Sequence, residues 1–141
     1  MLTRDELQKD IQITVTNALS EDIGAGDITA QLIPADNTAT ARIISRQTAV
    51  VCGTDWVNEV FRQVDPELQL EWEVKDGDLV ERDQTLFTVS GSARNMLTAE
   101  RTALNFLQTL SGTATVSHSY AQKVSGTNVK LLDTRKTIPG L

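Results

Sequence analysis

Cysteine and histidine are nearly absent from this chain of 141 residues, which contains one of each, Cys52 and His118. A single cysteine forms no disulfide within the chain, and one cysteine with one histidine supplies too few ligands for a zinc site of the Cys/His type. Cys52 ends a short apolar run, so we expect it to be a small core residue rather than a reactive thiol.

Long apolar runs and an excess of positive charge are also missing. No apolar run approaches the roughly 18 residues needed to cross a bilayer, and residues 1–6 lack the basic-then-apolar pattern of a signal peptide. The formal net charge is −6, which disfavours nucleic acid and anionic membranes as partners because both reward a basic face. The sequence therefore predicts a cytoplasmic protein with neither partner, although an acidic chain can still hold a local basic pocket for small anions.

The apolar pattern in the first two thirds of the chain predicts helices and strands together. Thr3 and Glu6 form a capping box that begins a helix, which we expect to end before Gly24. A second helix follows Gly53, with Thr54 or Asp55 as its cap. Alternating and short apolar runs predict strands at 38–46, 48–52, 68–74, 79–80 and 85–89. We expect the strands at 79–80 and 85–89 to continue the sheet that contains residues 68–74.

The last third predicts a change of organisation. Gly91 is expected to break the sheet, and the longest helix to cover residues 93–110 before Ser111 and Gly112 interrupt it. A further amphipathic stretch runs to Val124, and residues 129–132 have the composition of a buried strand. The prediction is therefore an α+β protein with one domain over residues 1–111 and the opening of another over residues 112–141.

Arg101 is the first candidate for binding chemistry, because it lies on or beside the apolar stripe of the predicted long helix. A guanidinium keeps its charge, so a partly buried one needs a partner. One interpretation is structural: an ion pair with Glu100 or another acid, or a surface arginine with a buried stem. The other is a ligand for a carboxylate or phosphate, since the planar fork suits both groups.

The second candidate is the donor-rich run of residues 133–137, directly after the last predicted strand. It contains Thr134, Arg135, Lys136 and Thr137. In α/β sheets and barrels, ligands bind at the C-terminal ends of strands, and these donors suit a ligand with several negative charges. The alternative is an ordinary solvated loop.

Three segments in this order resemble the quinolinate phosphoribosyltransferase family: EDIGAGDIT at residues 21–29, a run opening with LTAERTALNFLQ at residues 97–115, and LLDTRKTIPGL at residues 131–141. Together they extend over nearly the whole chain. The resemblance implies a hammerhead-like α/β first domain over residues 1–111, followed by the start of an incomplete α/β barrel. Residues 129–132 would be an early strand of that barrel.

The resemblance also implies a reaction. Phosphoribosyl pyrophosphate and quinolinate give nicotinate mononucleotide, pyrophosphate and carbon dioxide, for NAD synthesis, with magnesium as cofactor and a homodimer as the active form. The carboxylates for magnesium and the ribose are expected in later barrel strands, so no metal ligand is predicted in this chain. We therefore expect the 141-residue chain by itself to be inactive, and turnover of quinolinate above a no-enzyme control would contradict this.

Individual roles follow from the same resemblance. Arg101 matches an arginine that reaches across the dimer to the neighbouring subunit's quinolinate, and Glu100 matches its acidic neighbour, which we assign to catalysis. Arg135 matches a ligand of a quinolinate carboxylate. Lys136 matches a basic residue near the reacting centre, which we assign to both catalysis and substrate binding. Two hydroxyl donors complete the set, Thr134 and Thr137.

Other functions stay open at this point. Another member of the superfamily, a ModD-like protein or a nicotinate phosphoribosyltransferase, would share much of the pattern. A non-catalytic dimerisation module is a further alternative. Residues 75–80 and 84–86 resemble the hairpin of biotinyl and lipoyl carrier domains, but no lysine is found in the context that such domains modify, which favours shared architecture over shared function.

Overall fold

The computed structural model describes residues 3–24, 26, 29–134, 138 and 141 of the chain. The helices among these residues are α1 (Arg4–Ile23), α2 (Thr54–Val64) and α3 (Ala93–Val124), with a short 3₁₀ turn at Ala30–Leu32. Five strands are β1 (Thr38–Ile44), β2 (Ala49–Val50), β3 (Gln69–Trp72), β4 (Leu79–Val80) and β5 (Thr85–Ser92). Helices and small antiparallel sheets in one chain confirm the predicted α+β class.

The first helix is where the sequence places it. Thr3 and Glu6 form the reciprocal capping box, with the Glu6 N–H donating to Thr3 Oγ1 at 3.2 Å and the Thr3 N–H donating to Glu6 Oε2 at 2.8 Å. Gly24 ends the helix at a φ of +51°, in the left-handed region that glycine adopts without strain. The buried stripe of α1 consists of Ile11, Val15 and Leu19.

The strands form two sheets rather than one. β1, β5 and β3 make an antiparallel sheet in that order, whereas β2 and β4 pair separately. The prediction that residues 79–80 continue the main sheet is therefore wrong. The turn at Gly77 directs the chain to β2 instead, because the Gly77 N–H donates to the Val51 carbonyl at 2.8 Å and the Val51 N–H donates to the Asp78 carbonyl at 2.9 Å.

Gly91 lies inside β5, opposite Ala39 of β1. The prediction that it breaks the sheet is therefore wrong. A β-carbon at this position would lie 2.7 Å from Leu68 Cδ2, and the φ of +139° is one that other residues rarely adopt. The glycine is therefore needed for the close approach of Leu68 to the strand, not for ending it.

The N-terminus of α2 is capped by a residue that local patterns miss. Neither Thr54 nor Asp55 supplies the predicted cap; Gly53 is the N-cap position and has no capping side chain. Asp76 Oδ1 instead accepts hydrogen bonds from the N–H groups of Gly53 and Thr54, both at 3.0 Å. A carboxylate at this end of a helix also interacts favourably with the helix dipole.

The third helix runs without interruption through Ser111 and Gly112, where the sequence predicts a break. Ser111 Oγ accepts from the Cys52 N–H at 3.0 Å and donates to the Cys52 carbonyl at 3.1 Å. One turn later, Thr115 Oγ1 accepts from the Val50 N–H at 2.9 Å. These polar side chains satisfy backbone groups beside β2, so tertiary contacts outweigh the cost of about 1 kcal/mol that a glycine brings to a helix. The predicted boundary between residues 111 and 112 falls within this helix and stays a prediction.

Residues 129–132 do not form the predicted buried strand. They have no regular secondary structure, and Val129 and Leu132 are 59% and 85% exposed. A strand needs a hydrogen-bonded neighbour, and neither sheet of the described chain pairs with this segment. The start of a barrel therefore remains a prediction.

The core lies between the three-stranded sheet and the helices, with Phe87 of β5 at its centre. Phe87 is fully buried, and its ring centroid lies 6.2 Å from that of Phe61 in an edge-on contact and 4.3 Å from that of Trp72.

Cys52, predicted to be a core residue, is only partly buried. Among the residues that the structure describes, no helix is both long enough and apolar enough to cross a membrane.

A buried carboxylate joins α2 to α1 and makes stability depend on pH. The Glu59 side chain is 3% exposed. Its carboxylate accepts hydrogen bonds from Arg62 at 2.6 and 2.7 Å and from Gln63 at 2.7 Å. Gln63 in turn donates to the Gln12 carbonyl of α1. The hydrogen bond from Arg62 lowers the pKa of Glu59 below its ordinary value of 4.5, although burial opposes this.

The depressed pKa predicts a pH-dependent contribution of Glu59 to stability. The carboxylate stabilises the fold above its unfolded pKa, and this contribution is lost as pH falls through the lower folded pKa. Glu59→Gln is expected to reduce the free energy of unfolding at pH 7 by about 1–3 kcal/mol. The difference from the unsubstituted chain should shrink as pH falls below the ordinary pKa of 4.5 and through the lower folded pKa. Urea unfolding at several pH values measures this. The exposed Glu67→Gln is the control, and an equal pH dependence in both variants would contradict the assignment.

Candidate functional site

Arg101 projects from the first third of α3, beside the last turn of α1. Its Nε lies 2.6 Å from Oδ1 of Asp22, and the two side chains are 66% and 22% exposed. The sequence allowed an ion pair of Arg101 with Glu100 or with another acid, and the structure shows that the partner is Asp22. The guanidinium remains mostly accessible to solvent, so the ion pair anchors Arg101 without burying it.

Asp22 is itself held from a second direction. Its other oxygen, Oδ2, accepts a hydrogen bond from the Thr102 hydroxyl at 3.2 Å, and Thr102 is 3% exposed. Two consecutive residues of α3 therefore contact the two oxygens of one carboxylate. This fixes the end of α1 against α3 and gives Asp22 a defined orientation.

A cleft of about 450 Å³ opens beside this contact. Ala18, Glu21 and Asp22 of α1 form one wall and α3 forms the other, while Ile138 and Leu141 also line the cleft. The lining from α3 consists of Arg101, Thr102, Asn105, Phe106 and Thr109. Its mixture of hydroxyl, amide, carboxylate and guanidinium groups suits a small polar ligand, and Arg101 is the cation among these residues.

Glu100 neighbours Arg101 in sequence and shares a smaller pocket of about 220 Å³ with it. Thr29, Leu97 and Leu104 complete that pocket. Glu100 is exposed, and its carboxylate makes no ion pair within the described ranges. The structure therefore brings the two members of the predicted Glu100–Arg101 pair to one opening.

The second predicted cluster is only partly described. Thr134 is exposed at the end of the segment that follows α3. Arg135, Lys136 and Thr137 lie outside the described residues. The approach of this cluster to Arg101 therefore stays a prediction.

Other sources of chemistry are weaker. Burial, and then the negative charge of Asp76, raise the pKa of the Cys52 thiol, which disfavours the reactive thiolate. In the part of the chain that the structure describes, no group of three His, Cys, Asp or Glu side chains is placed to hold a metal ion. The strands on either side of Lys75, β3 and β4, belong to different sheets, so Lys75 is not presented on a carrier-type hairpin.

Sequence reasoning missed Asp22 and Thr102 as parts of this site. One signal was available: the last turn of α1 contains Glu21 and Asp22 but no basic residue. Acids at a helix C-terminus oppose the helix dipole, and such a local conflict commonly marks a functional position. Asp22 lies 79 positions before Arg101, and no local pattern in the sequence predicted that the two would pair.

Comparison with known proteins gives consistent results. The family model described as "Quinolinate phosphoribosyl transferase, N-terminal domain" matches residues 27–111. A chloroplastic nicotinate-nucleotide pyrophosphorylase (carboxylating) of Oryza sativa subsp. japonica is 40% identical over 94% of this chain and 36% of that protein. The corresponding protein of Mycobacterium leprae is 42% identical over 91% of this chain and 46% of its own length.

Solved structures agree with these sequence matches. The nicotinate-nucleotide pyrophosphorylase of Francisella tularensis superposes with a TM-score of 0.91 at 46% identity, over 94% of this chain and 47% of that one. The chain thus spans less than half the length of each of these three relatives, and the match lies in the N-terminal part of the family's architecture.

Proposed function

The chain belongs to the quinolinate phosphoribosyltransferase family, and from that premise we propose that it serves the transfer of a phosphoribosyl group to quinolinate. In this reaction the quinolinate ring nitrogen bonds to the ribose as pyrophosphate leaves. The bond from the ring to the carboxylate next to that nitrogen then breaks and carbon dioxide departs. The electron pair left on the ring carbon takes up a proton, and the product is nicotinate mononucleotide. The protein would act as a pentosyltransferase in NAD synthesis.

The observation that carries this proposal is the anchored, accessible Arg101. Quinolinate is a dicarboxylate, and an arginine fork binds a carboxylate through two parallel hydrogen bonds. Asp22 keeps the guanidinium in place at 2.6 Å while two thirds of the side chain stays exposed. An arginine held in this way has lost much of its side-chain freedom before a ligand arrives, which lowers the entropic cost of binding.

The remaining roles extend the same electrostatic argument. Two substrates that both carry negative charge repel each other, so cationic and hydroxyl donors are needed to bring them together and to stabilise the charge of the departing pyrophosphate. We assign Arg135 to a quinolinate carboxylate, Lys136 to the reacting centre and Glu100 to a supporting catalytic role. Thr134 and Thr137 are assigned as hydroxyl donors to the substrates.

Magnesium and a second subunit complete the proposal. Magnesium would neutralise the phosphate groups of phosphoribosyl pyrophosphate; because the described residues offer it no cluster of ligands, we assign it no ligand in this part of the chain. The homodimer places Arg101 at the neighbouring subunit's quinolinate, and the high exposure of Arg101 supports such a contact. A cytoplasmic location is likewise proposed, although the rice relative is called chloroplastic.

Calorimetric titration with quinolinate and nicotinate tests the substrate assignment. Nicotinate lacks the carboxylate beside the ring nitrogen, so it forgoes a charged hydrogen bond worth about 1.5–3 kcal/mol. Quinolinate is expected to bind about 10- to 100-fold more tightly, in line with that energy. Equal affinity for both compounds would favour a nicotinate phosphoribosyltransferase, and no binding of either would contradict a quinolinate site on this chain.

A further inference from the structure

Asp22 lies where a carboxylate is unfavourable for the helix that carries it. It occupies the last turn of α1, which also holds Glu21 and has no basic residue. The C-terminal end of a helix carries partial negative charge, so both acids are repelled there. An ordinary structural role for Asp22 in α1 is therefore a poor explanation of its presence.

The ion pair with Arg101 is also a weak source of stability. Arg101 is 66% exposed, and exposed ion pairs contribute little because water screens them and two long side chains must be ordered. What the contact does provide is orientation. Arg101 meets the carboxylate through Nε, one of the three nitrogens of its planar fork, at 2.6 Å.

The support behind Asp22 is specific as well. Thr102 is buried and donates its hydroxyl hydrogen bond to Asp22 across the helix interface at 3.2 Å. A threonine inside a helix commonly bonds the carbonyl four residues earlier, as Thr98 does with Arg94. Thr102 thus donates its hydroxyl hydrogen bond to the Asp22 carboxylate and not to a carbonyl of its own helix.

From these contacts we propose that Asp22 is a positioning residue for Arg101, with Thr102 fixing Asp22 in turn. The order of contacts is Thr102 to Asp22 to Arg101 to a carboxylate of quinolinate. This inference rests on the proposed function for its ligand, but the geometry of the first two contacts is independent of it. Asp22 acts through Arg101 and does not itself contact substrate, since a carboxylate repels a dicarboxylate.

The positioning is measured on the 141-residue chain by NMR of the arginine Nε–Hε groups, with Arg101→Lys identifying the Arg101 signal. Asp22→Asn is expected to move this signal toward that of a solvated arginine and to speed its exchange with water. Thr102→Val, similar in shape but without the hydroxyl, should produce a smaller change in the same direction. Asp10→Asn, an equal change of charge at an exposed position of α1, is expected to leave the signal in place.

Quinolinate calorimetry on the same variants gives the functional readout. Asp22→Asn should raise the dissociation constant by roughly tenfold, because a misdirected guanidinium loses the paired hydrogen bonds, while circular dichroism stays unchanged. An unchanged Arg101 signal, or an unchanged affinity for quinolinate, in Asp22→Asn and Thr102→Val overturns the proposal. If the unsubstituted chain fails to bind quinolinate, the proposed function is contradicted, and the Arg101 signal alone decides whether Asp22 positions it.

Discussion

Arg101→Ala is expected to weaken quinolinate binding by about 10- to 100-fold, the equivalent of a lost charged hydrogen bond. The physical reason is that Arg101 presents a planar, permanently charged fork, and alanine leaves a carboxylate of the ligand without it. Arg101→Lys should recover only part of the affinity, because an ammonium group is a point charge that cannot reproduce two parallel hydrogen bonds. Isothermal calorimetry of the three proteins measures the series.

A matched control separates this contact from overall charge. Arg82 is exposed and lies 3.7 Å from its own acid, Asp83, so Arg82→Ala removes the same charge from a different surface ion pair. We expect Arg82→Ala to leave quinolinate affinity unchanged. Equal losses in both variants would show that net charge, and not the anchored guanidinium, governs binding.

Stability should respond weakly to the same substitution. Since the Arg101 side chain is mostly exposed, the free energy of unfolding is expected to fall by no more than about 1 kcal/mol in Arg101→Ala. A much larger loss in urea unfolding would mean that Arg101 holds α1 to α3 as a structural element. The binding defect would then need a different explanation.

Phe87→Ala is expected to destabilise the fold by about 3–5 kcal/mol, the largest effect on stability that we predict. Phe87 is fully buried between the rings of Phe61 and Trp72, so alanine leaves a cavity where the sheet meets the helices. The cost combines lost burial of apolar surface with lost contacts across the cavity. Urea unfolding followed by tryptophan fluorescence reports it directly, because Trp72 lies against the substituted ring.

Two further variants test the cause of that loss. Phe87→Leu keeps most of the volume and should cost less than about 1.5 kcal/mol. Leu32→Ala removes an apolar side chain that is 81% exposed, and should change stability by no more than about 0.5 kcal/mol. If Phe87→Leu were as damaging as Phe87→Ala, the aromatic contacts would outweigh the cavity.

Much of the local structure can be predicted from the sequence, because the interacting groups that determine it are close to one another along the chain. The capping box of Thr3 and Glu6 lies within one turn, and Gly24 ends α1 by its own backbone freedom. The alternation in β3, where Leu70 and Trp72 are partly buried and Gln69 and Glu71 are exposed, reflects a single buried face. Such features depend on spacing alone, and they were predicted correctly.

Features that join distant segments were predicted wrongly for a common reason. The cap on α2 comes from Asp76, and the continuity of α3 through Gly112 depends on bonds from Ser111 and Thr115 to the chain beside β2. Gly91 was predicted to break the sheet, but it lies within β5, where Leu68 packs against it. In each case a group remote in sequence supplies the energy that local propensity lacks.

The sequence by itself determined the α+β class and the family, because these depend on composition, periodicity and motif, and it predicted roles for Glu100 and Arg101. The tertiary structure alone decided which acid meets Arg101, and that this acid is held by Thr102. The physical reason is that an ion pair depends on a separation of 2.6 Å in space, and no pattern along the chain specifies which of many carboxylates the folded helices bring there.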